Sequence, residues 1–257
     1  MKFDISTEAY TSTLPFPYVY QDNFLENASE IQKEILEIPD GQWDRYDNPF
    51  EQKYTLRDKH GFPPHLKHLF ERFESPEFVE HLSAVCGYTL RLDPTRNFWG
   101  VHKYDTGDKL DIHVDAGLHP VTKQKKQVTL GVYLSSNWHE SYGCQLEVWR
   151  GDSAESPRIY EKMASIAPLF NRAVLFTCND FAWHGNPTIA ACPADAHRLF
   201  VTISYLSENY EDSNKRVKAL FVARPGDPDD PKKDELRLLR ADPEKYKETY
   251  RNTYTQP

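Results

Sequence analysis

Between residues 88 and 206 the chain sustains no helical period. It breaks there into short apolar or alternating runs, at 89–92, 98–104, 127–135, 145–150, 173–177 and 198–206, separated by turn-forming residues. Alternation sends every second side chain to one face of a strand, so each run has a face to bury and must close on its neighbours. Six such runs within about 120 residues predict an antiparallel β-sandwich or barrel.

The stretch before them has the other period. Ala28, Ile31, Ile35 and Ile38 recur at spacings of three and four, which predicts an amphipathic helix over 27–38 with Asn27 as N-cap and Pro39 as its stop. Residues 64–73 repeat the pattern through Leu66, Leu69, Phe70 and Phe73. Ser75-Pro76 then offers an N-cap and a first-turn proline to a third helix that stops at Gly87. The predicted organisation is one domain over 1–209, with a helical support layer at about 24–87 and a β core at about 88–206. Residues 210–257 form a charged, proline-rich C-terminal extension, with a linker over 225–231 and a charged helix over 232–250, expected to be a solvated appendage or a lid.

Composition narrows the function. The 257 residues carry 31 Lys and Arg against 39 Asp and Glu, a net charge of −8, so no nucleic-acid partner that works by phosphate neutralisation is expected. Nowhere do about eighteen apolar residues run together, and the first residues lack the apolar core of a signal peptide, so no membrane association is expected. Cys86, Cys144, Cys178 and Cys192 form no C-x-x-C pair, which favours four reduced thiols over a zinc ribbon or a disulfide framework. Together these features predict a cytoplasmic protein.

Chemistry concentrates in a few places. His113-x-Asp115 sets an imidazole and a carboxylate two positions apart, on one side of an extended segment, where both can grip one metal. Trp183-His184-Gly185 follows about seventy residues later, just past the apolar run 173–177. In the last run Arg198, Phe200, Thr202 and Ser204 share a face. An arginine there is costly to bury unless an anion meets it, because the guanidinium does not shed its charge. Two histidines and one carboxylate leave adjacent positions open on an octahedral metal, the facial-triad arrangement of non-heme Fe(II) oxygenases. Among the other histidines, His102, His119 and His139 lie near the motif or the loop that follows it, His102 being expected to be structural rather than a pocket wall, and His60, His65, His68 and His81 are expected to be bland. The 123–126 run of Lys and Gln is expected to be a solvated loop.

The order His113-x-Asp115, His184, Arg198 resembles the 2-oxoglutarate and Fe(II)-dependent dioxygenases, and within them the prolyl 4-hydroxylase-like branch. The likeness extends over about 14–206. Pro15-Phe16-Pro17-Tyr18-Val19 and Asp22-Asn23-Phe24-Leu25 resemble the opening of these enzymes, and Tyr104-x-x-Gly107-Asp108-x-Leu110 resembles their approach to the first ligand. Residues 128–138 and Gly143-Cys144-Gln145-Leu146 resemble the central strand pair, with Cys144 where a second glycine is usual. The fourteen-residue step from His184 to Arg198 is longer than the family's.

The resemblance implies a mainly β fold, a double-stranded β-helix or jelly roll backed by the N-terminal helices. It implies Fe(II) on His113, Asp115 and His184, with 2-oxoglutarate as co-substrate. Arg198 and Tyr133 would hold the distal carboxylate of 2-oxoglutarate, with Thr202 supporting it and Tyr104 lying towards the metal. It further implies hydroxylation by dioxygen with release of succinate and CO2, ascorbate as accessory reductant, and a prolyl residue of a protein or a small molecule as substrate. A non-catalytic jelly-roll module that keeps a metal for ligand binding is the alternative, and it has no need of Arg198 and Tyr133. Specificity is expected in the loops 40–62, 116–126 and 186–197.

Overall fold

The computed structural model describes residues 1–58, 60–208, 216 and 218–242. In chain order its elements are α1 (Thr7–Thr11), β1 (Tyr18–Gln21), α2 (Ala28–Leu36), β2 (Asp44–Asn48), β3 (Glu51–Leu56), α3 (Pro64–Phe73) and α4 (Pro76–Cys86). Strands then dominate: β4 (Trp99–Tyr104), β5 (Lys109–Val114), β6 (Lys125–Tyr133), β7 (Leu146–Gly151), β8 (Ile159–Ile166), β9 (Arg172–Thr177), β10 (Trp183–Asn186), β11 (Arg198–Ser207) and β12 (Leu220–Phe221), before α5 (Pro231–Ala241).

The ladder runs β1-β9-β6-β11-β4-β3-β5-β10-β7-β8, with β2 on β3 and β12 on β5. Every pairing is antiparallel. The ladder curls into the expected jelly roll. One half, β9-β6-β11-β4, is backed by the helices, and the other, β5-β10-β7-β8, faces it across a cavity.

Alternation along two strands explains both layers. Val128, Leu130 and Val132 of β6, with Leu199, Val201 and Ile203 of β11, point into a core shared with Ile31, Ile35, Leu66, Leu69, Phe70, Phe73 and Leu82. Their neighbours Thr129 and Tyr133, with Arg198, Phe200, Thr202 and Ser204, line the cavity. Full burial of each large apolar chain is worth about 1.5–3 kcal/mol, so the helix-facing side supplies much of the driving force for folding.

The helices start and stop where their sequences dictate. The Ser75 hydroxyl accepts a hydrogen bond from the Phe78 amide, and Gly87 closes α4 with φ +73°. Asn27 stands at the start of α2 but makes no capping hydrogen bond. The run at 89–92 is reduced to a single bridge, Arg91 to Leu206. The β2–β3 hairpin falls inside the expected loop 40–62, and β8 lies in a stretch with no predicted element.

The C-terminal extension is exposed over much of its described length, but it is fastened to the core at three points rather than hanging free. β12 pairs with β5, setting Phe221 opposite His113, while Lys233 reaches Asp111 at 2.5 Å and Arg240 reaches Glu51 at 3.1 Å. The expected helix 232–250 is seen as α5, and 243–250 lie outside the described residues.

Candidate active site

His113 on β5 and His184 on β10 are direct cross-strand partners, with ring centroids 4.6 Å apart. Asp115 stands one residue beyond β5, on the face His113 uses. One ligand atom from each of His113, Asp115 and His184 lies within 4.8 Å of the others, the one such cluster among the described residues. Each imidazole is fixed in the same tautomer. His113 Nδ1–H donates to the Asp111 carbonyl at 2.9 Å and His184 Nδ1–H to the Ala182 carbonyl at 2.8 Å, because a carbonyl can only accept. Both Nε2 lone pairs are therefore free for a metal.

Gly185 is required by the same arrangement. A Cβ there would come within 2.7 Å of the Asp111 carbonyl oxygen, forcing β10 away from β5 and separating the two histidines.

Electrostatics favour the metal-binding protonation states. Burial lowers His184 first, with His113 adding to it, to about 4, so the ring is neutral at ordinary pH. Burial pushes the Asp115 carboxyl up, but Lys126 and the two histidines outweigh that and hold it well below the usual range. Lys126 Nζ sits 2.7 Å from Asp115 Oδ2, whereas Oδ1 lies 3.6 Å from His113 Nε2. Two neutral imidazole nitrogens and one carboxylate oxygen are the donor set of a divalent transition metal.

The cavity, about 230 Å³, also holds Arg198. Its side chain is 2 % exposed, and it leads β11 opposite Tyr104 of β4. The guanidinium lies 4.7 Å over the Tyr104 ring and 4.9 Å over the Tyr133 ring, and its Nη2 donates to the Tyr133 hydroxyl at 3.4 Å. No carboxylate meets it among the described residues, and its Nε has no hydrogen-bond partner. A buried guanidinium in that state is a receptor for a missing anion. The residues thus fit both a metal and a carboxylate co-substrate.

Phe200 fills the space beside them. Its ring lies 4.7 Å from that of Tyr133 and directly over Gly131, where a Cβ would collide with it. Thr202 lines the cavity, but its hydroxyl proton is committed to the Leu130 carbonyl at 3.0 Å, so towards a ligand it offers only lone pairs.

Other sequence readings are corrected. Lys126 is not in a solvated loop: it belongs to β6, is 8 % exposed and lines the cavity through its pair with Asp115. His102 is a cavity wall, without a hydrogen-bond partner among the described residues, its ring 6.3 Å from that of Phe200. Burial, and after it Lys53, holds its ring well below the usual histidine range and hence neutral. His119 is structural, its Nε2 bonding Thr95 Oγ1 at 2.9 Å and its Nδ1 accepting the Val121 and Thr122 amides. Cys144 takes up the left-handed conformation (φ +54°) that a glycine would occupy, at a cost of about 1–2 kcal/mol. The long step before Arg198 is anchored by Gly107 and Asp108, which bond Ala190 through both backbone groups, so β11 keeps its register.

The sequence reading missed Glu51, Lys53 and Arg57 of the β2–β3 hairpin region, and Phe221 of the extension. Glu51 pairs with Lys53 at 3.1 Å and with Arg240. Burial opposes its ionisation, but these two cations overcome that and bring it to about 2. Phe221 stacks on Phe50 at 4.8 Å and packs 5.2 Å from His113. The strand alternation of 51–56 was the available signal for the first group. Nothing local marks Phe221.

Comparison with known proteins agrees with this geometry. Residues 99–206, which hold every residue of the metal and arginine sites, match the family model of the 2OG-Fe(II) oxygenase superfamily. Its fold is similar to that of a Pseudomonas putida prolyl-4-hydroxylase, with TM-score 0.51 and 15% identity over 75% of this chain and 92% of that one. It is similar too to a prolyl hydroxylase from Trichoplax adhaerens, solved with a hypoxia inducible factor oxygen degradation domain peptide, with TM-score 0.54 and 18% identity over 74% and 83%. No curated sequence matches the chain.

Proposed function

We propose that this protein is an Fe(II)- and 2-oxoglutarate-dependent dioxygenase that hydroxylates a substrate while 2-oxoglutarate is converted to succinate and CO2. The observation that carries the reading is one cavity holding both a three-ligand metal set and a buried guanidinium without an anion. His113, Asp115 and His184 would hold Fe(II), which when bound supplies dioxygen activation that no side chain can provide.

The chain's own residues do the positioning. Backbone carbonyls orient both imidazoles, and Lys126 orients the carboxylate. Arg198 and Tyr133 receive the distal carboxylate of 2-oxoglutarate, Tyr104 lies against the guanidinium, and Thr202 supports the wall. Phe176, Phe200 and Leu146 exclude water from the space between. A metal-keeping module without catalysis is the weaker reading, because it leaves the orphaned Arg198 unexplained.

The likeness to prolyl hydroxylases supports a substrate that is a prolyl residue or a small molecule. Ascorbate as accessory reductant rests on the resemblance alone. A cytoplasmic location is supported by the four free cysteines.

Anaerobic addition of Fe(II) and 2-oxoglutarate should produce the weak visible charge-transfer band of a chelated 2-oxo acid. Asp115→Ala and His184→Ala should each abolish it. A band that persists in both variants would overturn the metal assignment.

A further inference from the structure

The cavity holds more positive charge than the proposed co-substrate uses. Lys53, Arg57, Lys126 and Arg198 line it, against the carboxylates of Glu51 and Asp115. Lys53 is paired with Glu51, and Lys126 with Asp115. Two guanidiniums remain, and neither meets a carboxylate among the described residues. Arg198 is taken by 2-oxoglutarate. Arg57, just past β3, spends one Nη1–H on the Asn97 carbonyl at 2.6 Å and has no other hydrogen-bond partner among the described residues.

A divalent iron and a doubly charged 2-oxoglutarate cancel each other, so the loaded site keeps about two positive charges inside a chain of net charge −8. His102 lines the same cavity as both guanidiniums and makes no hydrogen bond among the described residues. A neutral imidazole there adds a donor without adding charge.

Volume selects among anions. The cavity of about 230 Å³ falls below the ~300 Å³ at which sites for drug-sized ligands begin. The C-terminal segment supplies part of its wall through Ala219 and Phe221 and is fastened by the Arg240–Glu51 pair. With 2-oxoglutarate in place, the remaining space suits a small molecule rather than an extended chain.

We propose that the substrate is a small anion whose carboxylate or phosphate is received by Arg57, with His102 beside it. This rests on the dioxygenase reading for its co-substrate, and the test separates the two. Protein loaded with Ni(II), which does not turn over, and saturated with 2-oxoglutarate is titrated calorimetrically with inorganic phosphate and, separately, acetate.

At least one probe should bind saturably, and the tighter of the two identifies the head group. Arg57→Met should weaken that binding by about tenfold or more, the worth of a charge-assisted hydrogen bond. Arg57→Lys should restore most of it, and the affinity for 2-oxoglutarate should not change in either variant. Saturable binding by neither probe, or binding indifferent to Arg57→Met, would overturn the proposal. So would tight binding of an uncharged proline-containing peptide that ignores Arg57→Met. If 2-oxoglutarate itself fails to bind the Ni(II) protein, the dioxygenase reading falls, whereas an Arg57-dependent phosphate site would still be recorded.

Discussion

Strands β6 and β11 carry two opposite environments one residue apart. Val132 and Val201 are fully buried against the helices, in a layer that reaches through Leu66 and Leu69 to Phe70 and Phe73. Tyr133 and Arg198, on the same strands, are as deeply buried on the other side, yet there a guanidinium nitrogen has no partner and two lysines sit inside the protein. The first face is what folding alone would choose. The second is costly for folding, since unpaired buried polar groups oppose it by about 1–3 kcal/mol each, and it makes sense only when a ligand completes it.

The largest effect expected from this contrast lies on the apolar face. Phe70 packs edge-on to Trp99 at 4.3 Å and is 2 % exposed, so Phe70→Ala should cost about 3–5 kcal/mol in urea unfolding. Affinity for 2-oxoglutarate measured well below the transition should stay the same. A parallel loss of affinity would show that the two faces are not independent. The converse substitution is Arg198→Ala. It should weaken 2-oxoglutarate binding by about 2–5 kcal/mol, or about one and a half to three and a half orders of magnitude, while stability is unchanged or raised. Equal affinity in wild type and variant would place the anion site elsewhere.

The same contrast explains what the sequence revealed. The apolar face was legible because its period is set locally: Leu66, Leu69, Phe70 and Phe73 predict α3 with the bounds it has. His113, Asp115, His184 and Arg198 were legible because a ligand set demands particular residue types in a particular order. Lys126 was not, since a lysine beside Lys123 and Lys125 looks solvated until strand pairing turns it towards Asp115. Glu51, Arg57 and Phe221 were missed for a related reason. Their roles depend on partners 189 residues away, in the case of Glu51 and Arg240, or on a two-residue strand that no periodicity announces. His102 was misjudged because alternation on β4 assigns it a face without saying which face meets the cavity.

The smallest effect concerns Lys126, where the polar face orders itself without a ligand. Its ammonium holds Asp115 Oδ2 at 2.7 Å and leaves Oδ1 turned towards His113. Without it, the carboxylate is freer to rotate and burial favours its protonated form, and both changes weaken it as a ligand. Lys126→Met should therefore lower affinity for Mn(II) or Co(II) by about 10–100-fold, the usual range for a group one bond removed from a metal ligand. Folding should suffer less than for a fully buried pair, because the Asp115 side chain is 18% exposed and bordered by the cavity. Lys126→Arg, which keeps the charge, should recover part of the affinity, and the ligand-field spectrum of the Co(II) protein should shift in the methionine variant more than in the arginine one. Unchanged metal affinity in Lys126→Met would mean that His113 and His184 alone set the site, and that the buried lysine belongs with the cations that await the substrate.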